Sequence, residues 1–262
     1  MEGLEKLYLL FSTDGLYYLL PVSKMERILD GRDIPDGLAV ADVSEITGGS
    51  GDMGKSDRQY IILLKEEGGH GLLVEHITGM LEVHEGELIS LPEPVLSGAN
   101  RYLKAVYKLK NEEAVWAYAV DPGIFAKPED SAEDKRRREP RVPDRMPGGT
   151  YISLEYGGRR LYVDKESVSA VVSSPRIQRV PGAEEEILGI ADYQGKVVVY
   201  YNPVKMGGTK QAGAGSLEYT CGIILEQGDW MIGIPCSDIG GQEEVPDDLL
   251  PVINGVGAKS CD

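Results

Sequence analysis

The 262-residue chain is long enough for one large domain or two of ordinary size. Its 42% apolar and 27% charged residues suit a packed core and exclude whole-chain disorder. Asp and Glu (43) outnumber Lys and Arg (27), leaving a net charge of −16 that repels phosphate backbones and anionic headgroups and argues against nucleic acid, while no run reaches the roughly eighteen apolar residues that direct membrane insertion needs. Glycine (33) and proline (15) are abundant and Phe (2) is scarce beside Tyr (14), a mixture that predicts an all-β protein of short strands and many turns.

The N-terminus, MEGLEKLYLLF, is acidic and lacks the apolar run of a signal or transit peptide. YLLFSTDGLYYLLP, from Tyr8, alternates around Asp14 and Gly15 and predicts a hairpin, followed by a further strand through Ile28. A polar stretch, DGRDIPDG, separates it from a strand at Leu38. Gly49 to Ser56 then matches the phosphate-loop pattern G-x-x-x-x-G-K-S, with Gly49, Gly54, Lys55 and Ser56 as its key positions. The segment after it, QYIILLKEEGGHGLLV, reads as strand, Gly-Gly turn and strand, whereas a phosphate loop must open a helix. Arg101 to Phe125 predicts two alternating strands around a turn at Asn111.

Residues 126–149 carry four prolines, dense charge of both signs and almost no apolar side chain, and predict a solvated linker. The basic run Lys135, Arg136, Arg137 and Arg138 is diluted by Glu133, Asp134 and Glu139, which argues against a docking patch. Beyond the linker the pattern repeats. YISLEYGGRRLYVDKESVSAVV, from Tyr151, aligns without gaps on the segment from Tyr8 at an offset of 143, placing Gly158 on Gly15. IILEQGDWMIGIPCSDIGG, from Ile223, aligns on the segment from Ile61 at an offset of 162. The growth of 19 places an extra element in the second repeat at Ser174 to Lys196, before a strand from Val197 that resembles the one from Leu38. The hairpin at Arg101 to Phe125 has no counterpart before Asp262, so each copy is expected to be incomplete in a different place.

Catalytic and metal chemistry find little support. His70, His76 and His84 fall in one half of one repeat and read as turn or surface histidines. Cys221, Cys236 and Cys261 lack metal-ligand spacing and fit a reduced, cytoplasmic protein; Cys221 and Cys236 flank a predicted hairpin, approach one another, and read as plain buried thiols. The Glu184, Glu185 and Glu186 run reads as solvated. No catalytic residue, metal or cofactor is expected, and the chain is read as no enzyme.

At RIQRVPGAEEEILGIADYQGKVVVYYNPVK, Pro181, Gly189, Ile190, Asp192, Tyr193, Gln194, Gly195, Val197, Val199, Tyr201 and Asn202 follow the spacing of the CheW-like family, the coupling proteins of bacterial chemotaxis arrays, and the chain resembles it there. The resemblance extends to both repeats through GHGLLVEHITGMLEV and MIGIPCSDIGGQEEV. It implies two tandem domains, 1–125 lacking one strand-turn element and 150–262 lacking its C-terminal hairpin, each made of small five-stranded barrels and joined by the 126–149 linker. It further implies a scaffold that docks a CheA-type histidine kinase and chemoreceptor cytoplasmic tips. Arg176, Val180, Pro181, Ile190, Asp192, Tyr193, Gln194 and Lys196 are the implied partner contacts. Two departures bear on receptor pairing: Gln194 stands where the family has arginine, and Asp192 where it has asparagine. The edge left by the missing hairpin is expected to be covered by a strand from elsewhere, whether from the first repeat, from a second copy in a homo-oligomer or from a partner domain. The alternatives are nucleotide binding at Gly49 to Ser56, or a paralogue that binds kinase but not receptor.

Overall fold

The computed structural model describes residues 5–32, 34–48, 59–65, 70–110, 116–125, 150–203, 219–227, 230–244 and 252–253. The Gly49 to Ser56 motif, the 126–149 segment and Cys261 lie outside them. The described residues are mostly β-strand, and they fall into two units. One holds the residues up to Phe125 together with Pro181–Ala183; the other holds the rest.

The first unit opens with β1 (Glu5–Thr13) and β2 (Leu16–Pro21), joined at Asp14 and Gly15, whose φ values of 52° and 71° make the turn that suits the twist of paired strands. A single 3-10 turn, Val22–Lys24, passes the chain to β3 (Met25–Asp30), followed by β4 (Ala39–Asp42), a one-turn helix α1 (Val43–Ile46), β5 (Tyr60–Leu64) and β6 (His70–Val74). The chain then returns with β7 (His76–His84), β8 (Leu88–Ser90), β9 (Leu103–Lys108), β10 (Trp116–Val120) and a final helical turn, α2 (Pro122–Phe125). Two sheets result, ordered β7-β1-β2-β10-β9-β8 and β3-β5-β6-β4.

Alternation along these strands explains the packing. One face of the six-stranded sheet brings Tyr8, Leu19, Val83, Ala105, Tyr107, Ala117 and Ala119 into a single cluster, small alanines making room for the two tyrosines. Other residues of the same strands stack aromatic rings, Phe11 on Tyr18 at 5.4 Å and Tyr18 near Tyr118 at 6.1 Å, all three with no exposed surface. Ring pairs at such separations add about 1 kcal/mol each beyond their burial.

The second unit repeats the plan. β11 (Thr150–Tyr156) and β12 (Arg159–Asp164) turn at Gly157 and Gly158, with φ of 56° and 76°, and a 3-10 turn, Lys165–Ser167, leads to β13 (Val168–Ser173). Next come β14 (Ile187–Tyr193), β15 (Lys196–Tyr201), β16 (Cys221–Gln227), β17 (Trp230–Cys236), β18 (Asp238–Glu244) and β19 (Val252–Ile253). The sheets are β18-β11-β12-β19 and β13-β16-β17-β15-β14. Even the irregularities recur: the β1–β7 pairing slips between Leu10 and Phe11, and the β11–β18 pairing slips between Ile152 and Leu154.

Three features differ from the sequence alignment or extend it. The β3–β5 ladder pairs Ile28 with Ile62, and the β13–β16 ladder pairs Val171 with Ile223, so Ile223 corresponds to Ile62 and not to Ile61. β14 adds a fifth strand to a sheet that has four in the first unit. The β12 edge is not bare: β19 of the same unit pairs in parallel with Tyr162 and Val163, as β10 pairs in parallel with β2. At those two positions the chain itself supplies the strand expected from elsewhere.

Glu87 illustrates how the turns are secured. Its carboxylate accepts the His84 N–H at 3.1 Å and lies 2.8 Å from Lys110 Nζ. The Lys110 ammonium first, and the His84 amide second, hold the carboxyl below the usual glutamate range. A depressed acid contributes stability above its unfolded pKa and loses it as pH falls through the folded one. An NMR titration should find Glu87 protonating below the usual glutamate range, and Lys110→Ala should move its midpoint back up.

Candidate functional site

The site is built on β14, the strand with no counterpart among the described residues of the first unit, and on its partner β15. β14 and β15 pair antiparallel from Ile187↔Tyr201 to Tyr193↔Lys196, leaving Gln194 and Gly195 as a two-residue turn. Their φ values are 53° and 80°. A glutamine in the left-handed region is uncommon, and it projects the amide from the tip of a tight hairpin. Gln194 Nε2 donates to Tyr193 Oη at 3.2 Å. Behind the tip the strands are anchored: Val197, Val198, Val199, Tyr200 and Tyr201 are all buried. Burial raises the Tyr200 phenol well above its ordinary range, so it stays protonated.

The segment leaving β13 closes against β14. Gln178 and Ile190 exchange both backbone hydrogen bonds, each at 2.8 Å. Gly189 makes the approach feasible, because a Cβ there would sit 2.2 Å from the Gln178 carbonyl oxygen. This bridge holds the segment that carries the exposed Arg176 and Arg179 beside β14.

The implied contacts separate into two groups. Arg176, Gln194 and Lys196 are exposed, and Asp192 and Tyr193 are half-buried; the last four gather at the hairpin end. Val180 and Ile190 are buried at 3% and 0% exposure, and Pro181 is also buried, so these three pack rather than present surface. Pro181 groups with the first unit and the others with the second. Sequence reasoning missed Gln178, whose contribution is its backbone. Gly189, adjacent to Ile190 on β14, was the only local sign of a close approach.

The phosphate-loop match lies outside the described residues, but α1 precedes it and β5 comes after it, the reverse of the strand-then-helix order that cradles phosphate. Among the described residues, no group of three or more His, Cys, Asp or Glu side chains is placed to hold a metal ion. Among them, too, no helix is long and apolar enough to cross a membrane.

Residues 150–260 match the family model of the CheW-like domain. Among solved structures, the scaffolding protein TtCheW from Thermoanaerobacter tengcongensis is similar at 18% identity, over 45% of this chain and 90% of that one, with a TM-score of 0.37. No curated protein matches the chain.

Proposed function

From the CheW-like domain at residues 150–260, we propose that this chain is a non-catalytic signalling scaffold of the cytoplasm that docks a CheA-type histidine kinase and chemoreceptor cytoplasmic tips. The reading extends to two tandem CheW-like copies, at 1–125 and 150–262, joined by 126–149. Matching turns, ladders and bulges in the two units support it.

The observation that carries the docking assignment is the β14–β15 hairpin. It is a stiff, internally anchored pair of strands ending in a tyrosine, an amide and an ammonium. Aromatic side chains held on rigid elements are the usual anchors of interfaces, and a hairpin with buried flanks loses little freedom on binding. Arg176 extends the same surface through the Gln178 bridge. Gln194 lacks the charge and fork geometry by which an arginine grips a carboxylate, so kinase docking should exceed receptor docking.

Calorimetric titration of the whole chain with a kinase regulatory domain and, separately, with a receptor hairpin tests the assignment. Tyr193→Ala should weaken binding about 10-fold, the loss of one interface anchor, while leaving the unfolding midpoint in place. If the unaltered chain binds neither partner, the scaffold reading is wrong. Kinase binding alone, with receptor binding gained by Gln194→Arg, would make the chain a kinase-selective paralogue.

A further inference from the structure

Cys221 and Cys236 sit directly opposite one another where β16 begins and β17 ends. Their Sγ atoms are 3.2 Å apart and both thiols are free. Cys236 is fully buried, and Cys221 is partly open to solvent. Opposed residues of an antiparallel pair have Cα atoms about 4.5–5.5 Å apart, inside the range a disulfide spans. Closing the bond needs the sulfurs to move together by about 1.2 Å, a side-chain adjustment.

The surroundings give the pair a position of consequence. Cys221 also pairs with Ser173 at the end of β13, and the next residue, Ser174, donates its N–H to Thr220 O at 2.8 Å. On the other side, Ser237 donates its N–H to Glu155 O at 2.8 Å as the chain passes from β17 to β18, and Thr220 Oγ1 donates to Ser237 O. The cysteines therefore sit at the corner where the chain crosses between the two sheets of the second unit, next to the segment that carries Arg176.

We propose that Cys221 and Cys236 form a reversible cross-strand disulfide, a redox-sensitive modification site that staples this corner. A low-mass disulfide is the oxidant. The accessible Cys221 thiolate attacks one of its sulfurs, forming a mixed disulfide and releasing one low-mass thiolate, which takes up the proton that Cys221 lost. Cys236 then gives its proton to solvent and attacks Cys221 Sγ, and the second low-mass thiolate leaves and is protonated in turn. Two electrons pass from the protein pair to the oxidant, which ends as two thiols. Burial raises the Cys236 thiol, which leaves the more accessible Cys221 to make the first attack. Because Cys221 is partly open to solvent, an external thiol can reach the bond and reduce it.

The test uses the whole chain with Cys261→Ser, which leaves two thiols. It is equilibrated in glutathione buffers of rising oxidised fraction, trapped with an alkylating agent and weighed intact. Both thiols should vanish together in a monomeric product two hydrogens lighter, and dithiothreitol should restore both. With Cys236→Ala added, Cys221 should instead stop at a single glutathione adduct. Retention of two alkylatable thiols in the most oxidising buffer would overturn the proposal. So would a bond formed only between chains, or one that dithiothreitol leaves intact in the folded protein.

Discussion

Gly189→Ala should cost the second unit about 4 kcal/mol, the sum of backbone strain and overpacking at a site that cannot relax. The φ of Gly189 is 154°, and the added methyl would stand 2.2 Å from the Gln178 oxygen and 2.7 Å from its carbonyl carbon. Relief requires parting Gln178 from Ile190, which breaks two hydrogen bonds and moves the segment that carries Arg176. Gly195→Ala is the control: its φ is 80°, but nothing lies within 4 Å of the new Cβ, so only strain of about 1 kcal/mol is expected. Urea unfolding followed through tryptophan fluorescence, with Trp230 as the reporter in this unit, measures both. Equal midpoints for the two variants would show that the close approach is not what Gly189 provides.

Trp116→Ala should cost the first unit about 4 kcal/mol, the usual toll of truncating a buried aromatic whose cavity refills poorly. Trp116 has no exposed surface, and every residue of β10 is buried, because the strand lies inside the sheet between β2 and β9. Trp230, the second of the two tryptophans, remains as a fluorescent reporter of the other unit, so circular dichroism and fluorescence melts together locate the damage. Tyr193→Ala, on the half-buried hairpin tip, should move neither melt by more than the equivalent of about 1 kcal/mol. A Trp116→Ala loss no larger than that would contradict the packing of β10.

The local features were legible because their causes are local. Asp14-Gly15 and Gly157-Gly158 announce their hairpins, since such residues accept positive φ at two successive positions at little cost. The approach of Cys221 to Cys236 came from a hairpin of the right length. The β5 register was misread by one residue for an equally physical reason. Ile61, Ile62, Leu63 and Leu64 are all buried, as are Ile223, Ile224 and Leu225, so a slip of one exchanges one apolar side chain for another and leaves no trace in the pattern. What sequence did not disclose was long-range: the parallel pairing of β10 on β2, the β19 strand on β12, and the Gln178 bridge that draws Val180 and Ile190 inward from a segment read as surface.

The order in which strands enter their sheets also governs how the protein acquires its structure. After β2 the chain departs to build a second sheet and comes back to β1 only with β7, so Tyr8 waits for Leu81 and Leu9 for Met80. During synthesis the first hairpin therefore stays without its outer neighbour until the interleaved sheet has been translated. Such distant pairings make folding slow, on the order of milliseconds to seconds. Through that interval the emerging polypeptide holds an apolar ribbon open to solvent, a natural target for chaperones and the place where crowded overexpression should first produce aggregates.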